Sequence, residues 1–207
     1  MTPEDRDSLR KFSGPNVTDV RTLKALAHPL RMQILEYLAD HQKATSTTLA
    51  EHLGESTGQT SYHLRQLAKY GFVEDAEGKG NARERWWQSS GYTVHPEDVQ
   101  SLARQSPLLG TIAERLLVDR YEKLGEFQRR IPDEAPEWVE ASSLSVSTWT
   151  MTAEELKALR DEVWEVSSRH MKAAEEVRKA DSGAGARRVR VHFDTFPLPP
   201  EEDERDS

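Results

Sequence analysis

Between Ser56 and Gln66 the chain sets Ser56, Thr57, Gln59, Ser61, Tyr62, His63, Arg65 and Gln66 close together, with no carboxylate among them. A glutamine amide can hydrogen-bond twice to the N6/N7 edge of adenine, and an arginine fork to the O6/N7 edge of guanine. Hydroxyls and imidazoles donate to phosphate oxygens. Further along, Lys79, Asn81, Arg83 and Arg85 fall in or beside a glycine-bearing, turn-rich stretch. Cations on such a loop suit a phosphate backbone or a minor groove. The chemistry on offer is recognition of a polyanion with readable edges.

Other chemistry finds little support. The chain has no cysteine, so disulfides, thiolate metal sites and cysteine nucleophiles are excluded. Its seven histidines show no HxxxH or HxH spacing, and no metal site is expected. There is no nucleophile elbow, no catalytic triad pattern and no glycine-rich phosphate loop. The reading is therefore no enzyme and no cofactor.

Recognition residues need elements to present them. Thr18 or Asp19 can cap a first helix with Val20, Leu23, Leu26 and Ala27 at helical spacing. His28-Pro29 breaks it, and Pro29 suits the first turn of a second helix with Leu30, Ile34, Leu35 and Leu38 on one face. Thr45 or Ser46 caps a short third helix that stops at Gly54. A fourth, Gly58 to Tyr70, turns Thr60, Leu64, Leu67 and Ala68 inward and leaves the recognition residues outward. Two short strands follow, 72–75 and 84–88, joined by the turn-rich segment as a hairpin. Trp86 and Trp87 should pack this hairpin on the helices.

Past Pro107 a long helix is predicted to about Arg130. Its stripe of Leu109, Ile112, Leu116, Leu124 and Phe127 suits a dimer seam. Residues 143–151 and 188–196 alternate apolar and polar residues as strands do, and flank an amphipathic helix opened by the capping box Thr152-Ala153-Glu154-Glu155. Whether these strands pair with each other or across a dimer is open. Trp138, Trp149 and Trp164 read as core rather than as the lining of a ligand pocket. The expected organisation is a disordered arm 1–17, a helix–hairpin domain 18–92, a linker and long helix 93–134, a strand–helix–strand segment 135–197 and an acidic tail 198–207. The fold class is α+β, mainly α.

The net charge of −8 argues against indiscriminate binding to nucleic acid. It is uneven: residues 1–100 carry 12 Lys/Arg against 14 Asp/Glu, and residues 101–207 carry 16 against 22. The acidity lies mainly outside the recognition segment. No apolar run approaches the roughly 20 residues of a bilayer span, and Met1 to Lys11 is charged throughout, so a cytoplasmic location is expected.

Two motifs carry a family resemblance. Leu23-Lys-Ala-Leu-Ala-His-Pro-Leu-Arg-Met-Gln-Ile-Leu, followed by Ser61-Tyr-His-Leu-Arg-Gln-Leu and Gly71-Phe-Val, resembles the ArsR-type winged helix-turn-helix repressors over about residues 19–90. The resemblance implies a homodimeric, sequence-specific binder of double-stranded DNA, with the recognition helix in the major groove and the hairpin as a wing. It points to Gln59, Ser61, Tyr62, His63 and Arg65 as contacts. Many members sense metals through cysteines in the third helix. Here that stretch is Thr47-Thr48-Leu49-Ala50-Glu51-His52-Leu53, which implies no cysteine-type sensing. Two alternatives remain: a protein-interaction module that kept this fold without DNA binding, and a sensor of an unidentified small-molecule effector through the C-terminal segment.

Overall fold

The computed structural model describes residues 14–76, 85–180 and 185–199. The chain divides into two compact units, Met1–Gly125 and Glu126–Ser207.

In the first unit, α1 (Val20–Leu26) starts at Asp19, whose Oδ1 accepts the Thr22 amide at 2.7 Å. The His28-Pro29 step separates it from α2 (Pro29–His41), where the His28 side chain accepts the Leu30 amide at 3.2 Å as the cap. Arg31 reaches back to the end of α1, donating through Nη2 to the Lys24 carbonyl at 2.8 Å and through Nε to that of Ala25. A cation on the last carbonyls of a helix satisfies groups that have no partner within it.

A strand absent from the sequence reading follows: β1 (Lys43–Thr45). Thr45 then caps α3 (Ser46–Leu53) through the Thr48 amide, and Gly54 ends that helix in the left-handed region at φ +68°. The next helix, α4 (Thr57–Lys69), opens with a capping box between Ser56 and Gln59. The hairpin strands are β2 (Val73–Asp75) and β3 (Trp86–Ser89). They pair antiparallel with Glu74 opposite Gln88, and β1 adds to the free edge of β3 with Ala44 opposite Trp87, so the sheet order is β1-β3-β2. Three residues between helices are too few to display alternation, which hid β1 from the sequence.

Leu23, Leu26, Ile34, Leu38, Leu49, Leu64, Leu67 and Phe72 are almost fully buried in one cluster, with Trp87 sealing it from the sheet. The start of this unit corrects the expected arm. Residues 14–17 are ordered: Asn16 bridges to Thr93, the Val17 amide donates to the Thr93 carbonyl at 2.8 Å, and Val17 is fully buried. Gly14 fits because a Cβ there would lie 2.3 Å from the Ser90 and Gly91 carbonyl oxygens. Residues 1–13 lie outside the described residues.

The supposed linker holds a helix, α5 (Pro96–Gln105), before the long α6 (Leu108–Arg130). Leu102 and Ile112 join the core cluster, and Leu109 packs against it. This corrects part of the expected seam. Ile112 fills the protomer's own interior, because the first turns of α6 lie on that core. Arg115 clamps α6 to α2 by a two-pronged bond to Glu36, 2.7 Å on each arm, and Lys123 reaches Asp40 at 2.8 Å.

In the second unit a 3-10 turn (Ile131–Asp133), α7 (Pro136–Glu140) and α8 (Ala153–Ala180) are formed. Thr152 and Glu155 make the expected capping box. The strands expected at 143–151 and 188–196 are corrected: among the described residues neither joins a sheet. Alternation alone does not make a strand, since the backbone groups need a ladder partner. Trp149 and Trp164 are exposed rather than core. The acidic tail from residue 200 lies outside the described residues.

Candidate nucleic-acid interface

α3 and α4 form a helix-turn-helix whose geometry is fixed from beneath. The buried Thr60 hydroxyl donates to the Ser46 carbonyl at 2.8 Å, tying the inner face of α4 to the start of α3. Leu64 and Leu67 continue that inner face at the three- and four-residue spacing of a helix. The opposite face is open. Ser56, Thr57, Gln59, Tyr62 and Arg65 are exposed, and Ser61 and Gln66 are half-buried. Tyr62 is 53% exposed, so its ring stands off the body.

The side chains rest in defined places. The Gln59 carboxamide oxygen accepts from the Ser56 amide and hydroxyl, at 3.4 and 3.3 Å. Arg65 lies along its own helix, Nε donating to the Ser61 carbonyl at 3.0 Å. Neither side chain is buried, so each can swing outward for the loss of one or two exposed hydrogen bonds. α4 carries Arg65 and Lys69 and no carboxylate; Glu55 immediately precedes its cap.

His63 is corrected from outward contact to inward packing. It sits at the same helical phase as Thr60 and Leu67 and is only 8% exposed. Its ring centroid lies 4.3 Å from that of His28, and its Nδ1 is buried without a hydrogen-bond partner. Burial pushes the His63 imidazole below its usual value, with His28 and Arg31 adding to the effect and Glu55 opposing it. His28, though at the surface, is lowered by the same two causes, desolvation and then Arg31. The contact between residues far apart in sequence left no trace in spacing.

At the hairpin, Arg85 is exposed and grips Asp75 with both arms, Nη2 to Oδ2 at 2.9 Å, while its guanidinium lies 3.9 Å over the Trp87 ring. It braces the root of the wing. Lys79, Asn81 and Arg83 lie outside the described residues. Among the seam candidates, Leu116 is exposed beside Leu117 and Tyr121, while Leu124 and Phe127 are half-buried. Among the described residues no group of three or more His, Asp or Glu is arranged to hold a metal ion, and no helix is long and apolar enough to cross a membrane.

Residues 26–76 match a family model described as a helix-turn-helix domain. No curated protein matches the chain. Among solved structures, a possible transcriptional regulatory protein from Mycobacterium bovis (fragment 1–100) is similar at 26% identity, covering 45% of this chain and 88% of that one, with a TM-score of 0.32. A homodimeric winged helix-turn-helix DNA-binding domain from the same organism, described as a possible ArsR-family transcriptional regulator, matches at 22% identity over 55% of this chain and 88% of that one, with a TM-score of 0.32. Reduced HlyU from Vibrio cholerae matches at 25% identity over 44% of this chain and 83% of that one, with a TM-score of 0.31. The family model thus places a helix-turn-helix over residues 26–76, which takes in nearly all of both sequence motifs, and the β2–β3 hairpin follows that helix pair.

Proposed function

We propose that this protein is a homodimeric, sequence-specific DNA-binding repressor, with α4 of each copy entering the major groove and the β2–β3 hairpin lying beside it. The observation that carries the reading is the outer face of α4. It is polar, free of carboxylates and largely exposed, while Thr60, Leu64 and Leu67 lock its inner face. Gln59 and Arg65 are the base readers. Ser56, Thr57, Ser61, Tyr62 and Gln66 position the helix on phosphates, and Lys79, Asn81, Arg83 and Arg85 serve the wing.

Two copies are required because one recognition helix with two cations offers little affinity. Leu116, Leu117 and Tyr121 on α6 supply exposed apolar area for the seam, with Leu124 and Phe127 continuing it. With no thiolate in the chain, any inducing signal acts through other chemistry.

Selection of bound fragments from a random duplex pool, followed by affinity measurement against salt, tests the proposal. A recovered motif with two-fold symmetry and an affinity falling steeply with salt is expected. An unenriched pool even at low salt overturns it.

A further inference from the structure

We propose that the His28–His63 contact positions α4 for DNA and that proton uptake by the two rings releases the DNA, so that the pair acts as a pH switch. The inference rests on the DNA-binding reading above and adds regulation to the same interface.

The pair ties the recognition helix to the α1–α2 junction. His63 lies on the inner face of α4 and is 8% exposed, with its ring centroid 4.3 Å from that of His28. The Tyr62 ring meets the His63 ring edge-on at 5.1 Å and stands on the outer, exposed face. A shift of His63 is therefore passed to a residue of the reading face.

The surroundings suit neutral rings and oppose charged ones. His28 Nδ1 accepts the Leu30 amide at 3.2 Å as the cap of α2, so that nitrogen carries no proton. Protonation turns the acceptor into a donor and removes the cap. It also sets a positive charge at the positive end of α2. An imidazolium donates from both nitrogens, whereas Nδ1 of His63 is buried without a hydrogen-bond partner. The nearby cation cannot retreat, because Arg31 is tied to the Lys24 and Ala25 carbonyls. The groups acting on the pair come from several sides: Arg31 from α2 and Glu55 from the α3–α4 turn, with Tyr62 and Tyr70 bearing on Arg31. Of the groups acting on His63, Glu55 alone favours its charged form.

Positive charge near DNA ordinarily strengthens binding, so distance decides the sign. A helix is roughly 10 Å across with its side chains. A phosphate beyond the outer face thus lies about one screening length from the inward His63 ring, while the His28 ring lies at 4.3 Å. Repulsion within the pair outweighs attraction across the helix. Below about pH 6.5 the rings charge, the contact opens and α4 loses its setting, while Leu64 and Leu67 stay packed in the core.

Fluorescence anisotropy with the full chain and the selected duplex, at constant ionic strength from pH 7.5 to 5.5, tests the switch. Circular dichroism follows folding at each point. Each proton taken up on release weakens binding by up to about tenfold per pH unit, so the dissociation constant of the parent should rise at least about fivefold. His28→Asn keeps a cap acceptor but cannot titrate, and the rise should shrink. In His28→Asn/His63→Gln it should vanish. A folded parent whose affinity is constant or grows on acidification overturns the switch and leaves DNA binding standing. Unfolding of the parent ahead of any change in affinity does the same. So does an undiminished rise in His28→Asn, which decides the matter even where the double variant fails to fold. No specific binding at pH 7.5 overturns both readings.

Discussion

The imidazole pair under the recognition helix gives this interface a pH dependence. His63 is buried against His28 beside Arg31, and both rings titrate below the usual 6.5 because of desolvation first and neighbouring positive charge second. A histidine depressed in the folded state binds its proton more readily when unfolded. Stability is then complete above about 6.5 and is lost as pH falls toward the folded value. The midpoint of urea unfolding should accordingly be lower at pH 5 than at pH 7.5. The dependence should flatten in His63→Gln; equal midpoints in the parent protein would contradict the account. At the outer face, Arg65→Ala should weaken binding to the selected DNA site by roughly 1–3 kcal/mol if it reads a base, and relax preference at one position. An equal loss on every sequence would make it a phosphate contact instead. Most of the outward set was legible because helical phase follows from spacing. His63 was misplaced because its chemical type suggested contact, whereas its phase with Thr60 and Leu67 decided burial.

At the scale of elements, the tie between α3 and α4 is the Thr60 hydroxyl on the Ser46 carbonyl. Replacing Thr60 by Val keeps the shape and removes the bond, and should cost about 1 kcal/mol in chemical unfolding. DNA affinity should fall further than this stability loss explains, since the angle of α4 loosens. The Glu36–Arg115 fork is partly exposed and worth under about 1 kcal/mol to global stability. Its role is local: Arg115→Ala should raise hydrogen exchange in the first turns of α6 while leaving α4 unchanged. The first three helices were readable because apolar spacing agreed with Pro29 and with the cap candidates Asp19 and Thr45, and the fourth from the apolar spacing of Leu64 and Leu67. β1 was too short to read, and α5 lay in a stretch whose polarity concealed Leu102, the residue that docks it. At 143–151 and 188–196 the alternation was real, but strand pairing is a property of two segments, and among the described residues neither segment joins the sheet.

For the whole molecule, acidity and DNA binding are compatible because the charge is segregated by sequence. Residues 101–207 carry 22 Asp/Glu against 16 Lys/Arg, whereas α4 has no carboxylate. Under the proposed function, binding relies on geometry and pairing more than on a general positive field, and the recognition helices of two copies would be spaced to match the duplex. Hydroxyl-radical footprinting of the selected site reads that spacing directly. The account predicts two protected patches about one helical turn apart, on the order of 34–36 Å, both lost in Arg65→Ala. Protection at a single patch, or none at low salt, would contradict it.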